Sequence, residues 1–282
     1  MKREIRTGLV LVLGGVLLPT AFARASPRKL DLTMVLDGQI TVSPTGKVED
    51  YQIREADKVP KPILELIRKT VNQWRFEPAR SHGQPVPVKT PMHLRVVATP
   101  TDKQHVQLRV SGQWFGSPGA DGIHVKSHQP DPDYPLTAIK AGVGGTVYLV
   151  AMVSNDGKVA KVAAQQVNLD TLRRPAQMKH WRKVLAQSAI LALKQWQFEV
   201  PANGGPEHRK HWFVRAPIGY QVLPLGAAAT RPYASWSGYV RGPVQPIPWL
   251  TPTMRVADID AIPWQGTFLA KQSMQLSSKP HR

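Results

Sequence analysis

The chain predicts an α+β fold: two tandem small β-β-α-β units, each a short antiparallel sheet with one helix packed on it, followed by a Pro/Trp-rich tail. Two repeated motifs and their order carry that expectation. Val42-Ser43-Pro44-Thr45-Gly46-Lys47-Val48 returns as Val153-Ser154-Asn155-Asp156-Gly157-Lys158-Val159. Gln73-Trp74-Arg75-Phe76-Glu77 returns as Gln195-Trp196-Gln197-Phe198-Glu199. Each time the turn motif comes first and an amphipathic helical stretch lies between the two. Matched motifs in matched order mark a duplicated supersecondary unit.

In the first copy, residues 32–42 are rich in Val, Ile, Leu and Thr, the composition of a strand. Ser43-Pro44-Thr45-Gly46 is turn chemistry, with Gly46 able to take positive φ, and 47–53 return as the second arm of a hairpin. At 61–73 the spacing becomes helical. Ile63, Ile67, Val71 and Trp74 share one face, and Lys61, Arg68 and Lys69 fall largely away from it. Pro60 and Pro62 suit a helix start, where a missing amide donor costs little. Glu77-Pro78 ends the helix, and 86–97 supply a third strand.

The second copy follows the same plan. Residues 145–153 are a strand, Asn155-Asp156-Gly157 is a strong hairpin signal, and 158–167 return. A helix is expected from about 178 to 196, with Trp181, Leu185, Ile190 and Leu193 available for burial, and then a third strand at 211–222. The turn motifs lie 111 residues apart and the tryptophans 122, so the second copy carries an insertion, assigned to the polar stretch 168–179. Between the copies, 106–110 is an additional strand, and 129–135, with three prolines, an extended linker. The units are thus bounded at 30–98 and 134–223, with 99–133 between them and a tail at 224–282. That tail holds eight prolines with Trp236, Trp249 and Trp264. It either wraps the units with its tryptophans as anchors or stays loose, and the sequence leaves both open.

Lys2, Arg3 and Arg6 precede a 17-residue apolar run at 7–23, and Ala23-Arg24-Ala25 fits a small-x-small cleavage site ahead of Ser26. Residues 1–25 are read as a signal peptide cleaved after Ala25. The rival reading is an uncleaved membrane anchor, for which 17 residues sit at the short limit. Either way the chain is exported. It has no cysteine, which excludes a disulfide framework, a thiolate metal site and a thiol nucleophile. The net charge is +18, of which residues 1–25 contribute +3. A basic exported chain is drawn to anionic surfaces, whereas export argues against nucleic acid as partner.

Residues 134–222 resemble the C-terminal domain of the TonB family. The family's Tyr-Pro opening, followed two residues later by Ala, stands as Tyr134-Pro135-Leu136-Thr137-Ala138. Gly145 matches the glycine entering the first strand, and Trp196, Phe198 and Pro201 match the late-helix aromatic signature. The first copy shows that signature as Trp74-Arg75-Phe76-Glu77-Pro78 but lacks the Tyr-Pro opening. The resemblance implies a periplasmic protein that meets outer-membrane receptors in energy transduction. A receptor peptide would add as a strand on the third strand's free edge, by β-augmentation. Carried onto this chain, that surface comprises His211, Phe213, Arg215 and Tyr220, with Gln129, Tyr134 and Pro135 ahead of the opening motif. Gly46, Trp74, Phe76, Gly157, Trp196 and Phe198 are read as fold-forming turn and core residues. Two departures stand out. The apolar run 7–23 contains no histidine, and only about six residues separate it from the first strand, a reach of barely ~20 Å.

No catalytic constellation appears, so an enzyme is not expected, nor a cofactor. The His208/His211 and His124/His128 pairs have metal-like spacing but lie off predicted helices and lack a third ligand, so no metal site is expected. The alternative to peptide docking is a basic envelope scaffold holding anionic lipid or cell-wall polymer. The sequence leaves oligomeric state open.

Overall fold

A computed structural model describes residues 30–102, 104–119, 122–126, 130–202, 210–222, 232–251, 254, 259–262, 268–269 and 276–277. The expected signal segment, Gln129, His128, His208 and Trp264 lie outside these residues.

The first unit runs β1 (Asp31–Val42), β2 (Val48–Ile53), α1 (Lys61–Val71), a two-residue hairpin of β3 (Arg80–Ser81) and β4 (Gln84–Pro85), then β5 (Val88–Pro100) and β6 (Val106–Phe115). After β7 (His124–Val125) and a short α2 (Leu136–Lys140), the second unit runs β8 (Gly145–Ser154), β9 (Val159–Leu169), α3 (Pro175–Leu193), β10 (Phe198–Glu199) and β11 (His211–Tyr220). The tail adds β12 (Ser237–Tyr239) and β13 (Phe268–Leu269). The fold is α+β, and among the described residues all strand pairing is antiparallel.

Both units share one connectivity. β1 pairs with β2 and β5 as β8 pairs with β9 and β11. Alternate residues Met34, Leu36, Ile40 and Val42 of β1 meet Ile63, Ile67 and Val71 of α1 in one core. Val147, Leu149, Ala151 and Val153 of β8 meet Met178, Leu185, Ala189 and Leu193 of α3 in the other. This is period two packed against helical spacing, as the sequence pattern requires.

The two repeated motifs recur together because they touch. In each turn the glycine takes a φ of 80° and its carbonyl accepts the amide of the phenylalanine, at 2.8 Å for Gly46–Phe76 and 2.8 Å for Gly157–Phe198. A Cβ on Gly46 would lie 2.1 Å from the Phe76 carbonyl oxygen, and one on Gly157 2.0 Å from that of Phe198. Glycine is therefore required twice over, by its dihedral and by the close approach. Trp74 and Phe76 are fully buried, edge-on to each other and to Phe115 of β6. Phe198 is equally buried, but Trp196 is only half-buried and donates its indole N–H to the Pro130 carbonyl at 2.9 Å.

Two expectations are corrected. The second copy's extra length is not a polar loop at 168–179. Asn168 and Leu169 belong to β9, which is five residues longer than β2, and α3 is eight longer than α1, while the connection between them is two shorter. The strand foreseen at 106–110 continues to Phe115 and seals β5 from Met92 to Pro100.

The described parts of the tail wrap both units, and of the two described tail tryptophans Trp249 packs on Phe213 while Trp236 is exposed. β12 extends the first sheet along β1, Val240 bridges Leu169 of β9, and Leu276 returns to bridge Phe76. The buried anchors are Tyr239, Ile247, Leu250, Ile259 and Phe268, whereas Trp236 is 36% exposed and Trp249 only half-buried. Pro-rich segments cannot build a central strand, so this tail contributes short edge pairings and single apolar contacts.

Candidate functional site

β11 pairs along its whole length with β8, from His211 opposite Ser154 to Tyr220 opposite Gly145. Trp212, Val214, Ala216, Ile218 and Tyr220 therefore face the α3 core, and Phe213 and Arg215 face the tail. The other edge of β11 is not free as expected. β13 pairs there, through Val214 with Leu269 and Arg215 with Phe268. Among the described residues nothing else pairs with that edge, and the positions on either side of β13 lie outside the described residues. The corresponding edge of β5 is sealed by the ten-residue β6. Pro217, which lacks an amide donor, fits an edge strand and would not fit a central one.

The structure disperses the residues read as a partner surface. His211 is exposed at one end of β11. Phe213 stacks on Trp249 at 6.0 Å between centroids. Arg215 is 2% exposed under the tail, its guanidinium donating to the Gln165 side chain and, at 2.6 Å, to the Met254 carbonyl. Burial lowers its pKa to about 10, which leaves it cationic at neutral pH. At the opposite end, Tyr134 and Tyr220 come together, 5.2 Å between ring centroids. Tyr134 donates its hydroxyl to the Val143 carbonyl at 3.0 Å, and burial pushes its pKa up to about 12. Pro135 caps α2, its carbonyl accepting the amides of Ala138 and Ile139. The stretch foreseen as an extended linker is docked on α3 through the Asp133 carbonyl, which accepts from Ser188, and just beyond α3 through the Pro130 carbonyl, which accepts from Trp196.

The end of β11 opens into a cleft of about 260 Å³ between the two units, bordered by Asp37, Arg54, Asp170, Tyr220, Gln221 and Tyr233. Asp37 meets His93 Nδ1 and Arg54, each at 2.8 Å, and Arg54 lies 4.4 Å over the Tyr233 ring. Burial raises the Asp37 pKa, but the His93 hydrogen bond, the His93 charge and Arg54 outweigh it and hold the carboxyl below its ordinary range.

Beneath the cleft is a buried polar knot. The Asp260 carboxylate accepts from the Tyr239 hydroxyl and from Asn168 Nδ2 at 3.3 Å, and pairs with Arg241 at 3.3 Å. The Asp260 carbonyl accepts from Arg95 and Tyr148, and Arg95 also donates to Thr33 at 2.9 Å. The knot joins the first unit (Thr33, Arg95), the second (Tyr148, Asn168) and the tail (Tyr239, Arg241, Asp260). Sequence reading missed all of these. The one available signal was Arg95 within the apolar run Leu94-Arg95-Val96-Val97, a charge that a buried strand tolerates only when paired.

Among the described residues no group of three His, Cys, Asp or Glu could hold a metal ion, and no helix is long and apolar enough to cross a membrane. No family model matches the chain, and no solved structure matches it. It is 32% identical over 95 residues to Protein tonB2 of Pseudomonas aeruginosa, covering 34% of this chain and 30% of that protein. The shared stretch spans under a third of the relative's length and marks a distant relationship with the TonB family.

Proposed function

We propose that this chain is an extracytoplasmic protein-binding module, and that it takes up an extended peptide as a strand on the β11 edge. The observation that carries this reading is the contrast between the units: β5 is paired with β6 from Met92 to Pro100, while among the described residues that edge of β11 is paired at Val214 and Arg215. Unpaired backbone groups on an edge strand are a template for another chain, and backbone hydrogen bonds would provide affinity without a deep side-chain pocket. Half-buried Tyr134, packed on buried Tyr220, would flank the incoming strand at the cleft end.

The distant similarity to Protein tonB2 supports a narrower form of the proposal, in which the peptide comes from outer-membrane transport receptors and the chain assists energy transduction in the periplasm. Titrating the isotope-labelled protein with synthetic peptides from the periplasmic N-termini of such receptors tests both levels. The expected result is concentration-dependent shifts of the backbone amides of Ala216, Ile218, Gly219 and Tyr220. Unchanged amides there would refute receptor docking, and unchanged amides with any extended peptide would refute edge docking altogether.

A further inference from the structure

The duplication supplies its own control for the surface. α1 and α3 pack on equivalent strands, so a difference between their outer faces reflects something other than folding. On α1 the exposed Lys61, Arg68 and Lys69 are interrupted by exposed Glu65, one turn from both lysines. On α3 and its cap the exposed stripe is Lys179, His180, Lys183, Gln187, Leu191 and Lys194, spaced so that all project from one side. No carboxylate occurs between Asp170 and Glu199, while Arg173 and Arg174 add two exposed cations just ahead of the helix. None of the ion pairs among the described residues involves Lys179, Lys183 or Lys194. The imbalance extends over the unit: residues 134–223 hold twelve lysines and arginines against four carboxylates, and residues 30–98 ten against eight.

We infer that the outer face of α3 docks on an anionic phospholipid surface. The cations run about 22 Å along the helix, long enough to engage several headgroups at once. Leu191, 61% exposed, lies toward the C-terminal end of that stripe, one turn from Gln187 and from Lys194. A lipid surface buries this side chain, and lysine stems can lie along apolar surface with their ammonium groups among phosphates. An acidic sugar polymer offers the leucine nothing. The inference is independent of edge docking, because α3 lies on the face of the second sheet and not along its β11 edge.

The chain has no cysteine, so Gln187→Cys gives a single site for an environment-sensitive fluorophore on the stripe, and Asn72→Cys a matched one at the end of α1. With vesicles of phosphatidylglycerol in phosphatidylcholine, the label at 187 is expected to blue-shift at low salt and the label at 72 to stay unchanged. Replacing Lys179, Lys183 and Lys194 together by Gln should weaken the response roughly a hundredfold, from the usual contribution of a cation near such a surface. Replacing Lys61, Arg68 and Lys69 by Gln removes the same charge and should leave it nearly intact. Leu191→Ser should weaken vesicle binding but not binding to heparin. Equal losses in the two triple variants would overturn the inference in favour of net charge alone. A response to phosphatidylcholine alone, no response to either vesicle, or a response only to heparin or isolated cell wall would overturn it as well. All these positions are exposed, and unchanged urea midpoints would show that folding is not the cause.

Discussion

Substituting Gly157 by Ala tests the coupling of turn and aromatic motif with a control inside the same chain. Gly46, Gly83 and Gly157 all have a φ of 80°. The dihedral cost of placing an L-residue there is common to the three, about 1–2 kcal/mol. Around Gly83 a new Cβ meets nothing within 4 Å, so that cost should be all that Gly83→Ala shows. At Gly157 the methyl would lie 2.0 Å from the Phe198 carbonyl oxygen, and a backbone atom cannot yield as a flexible side chain would. The turn must move away from the Phe198 segment, straining the 2.8 Å bond from the Phe198 amide to the Gly157 carbonyl. Overpacking costs about 1–3 kcal/mol, and weakening a buried backbone bond about 1 more. The expected loss is therefore about 3–6 kcal/mol for Gly157→Ala, with the same for Gly46→Ala, against about 1–2 for Gly83→Ala. Urea titrations followed by tryptophan fluorescence measure all three, since Trp74 and Trp196 sit beside the motifs. Equal losses at positions 83 and 157 would show that the close approach contributes nothing and that the two motifs recur together for another reason.

Asp260→Ala should destabilise the protein by about 3 kcal/mol, the low end for a broken buried ion pair because Arg241 keeps some access to water; a loss under about 1 kcal/mol in the same titration would remove the knot as a clasp. Asp37 is held below its ordinary value of 3.8 in the fold. Its stabilising contribution is therefore complete above that pH and lost as pH falls through the lower folded value. Asp37→Asn should remove this part of the acid dependence, and urea midpoints that fall with pH just as steeply as in the unmodified protein would contradict the assignment. Phe268→Ala should loosen β13 from β11 and tighten peptide binding, by about tenfold for each ~1.4 kcal/mol the pairing contributes. Calorimetric titration with the same peptide would count against the β11 edge if affinity were unchanged.

The repeat was legible because its determinants are local. A glycine in a turn, apolar positions three and four apart and an aromatic pair after a helix are all visible within a few residues. The helix spacing of Ile63, Ile67 and Val71 corresponds directly to their burial. What escaped the sequence depends on long separations. Arg95 meets Asp260 across 165 residues, and Asp37 meets His93 across 56. Nothing local marks Asp260 as buried rather than solvated. The extra length of the second copy was misplaced for a related reason: polar Asn168 looks like loop chemistry until Gly242 and Gln166 satisfy its side-chain oxygen, each at 2.8 Å. The tail stayed open in the sequence, since a Pro-rich stretch can bury whichever side chains its few fixed φ angles point inward.

Duplicated units also separate folding from use. Features present in both copies, such as the glycine turn and the buried phenylalanine, are explained by the β-β-α-β core and need no partner. Features present in one copy lack that explanation. The second unit alone has a third strand whose outer edge, among the described residues, is paired at Val214 and Arg215, a helix face without a carboxylate, and a Tyr-Pro opening stacked on its third strand. The strand edge and the Tyr-Pro opening adjoin each other while the helix face lies apart from them, so one partner strand and one charged surface could be engaged together. The first unit then acts as the counterpart against which the tail is pinned: β12 lies on β1, Leu276 on Phe76, and Asp260 between the sheets. Held at both ends, the tail brings Phe268 to the β11 edge, where its pairing limits access to the strand. If the β11 edge takes a peptide as proposed, the first unit serves less as a second binding site than as the fixed support that positions the tail beside that edge.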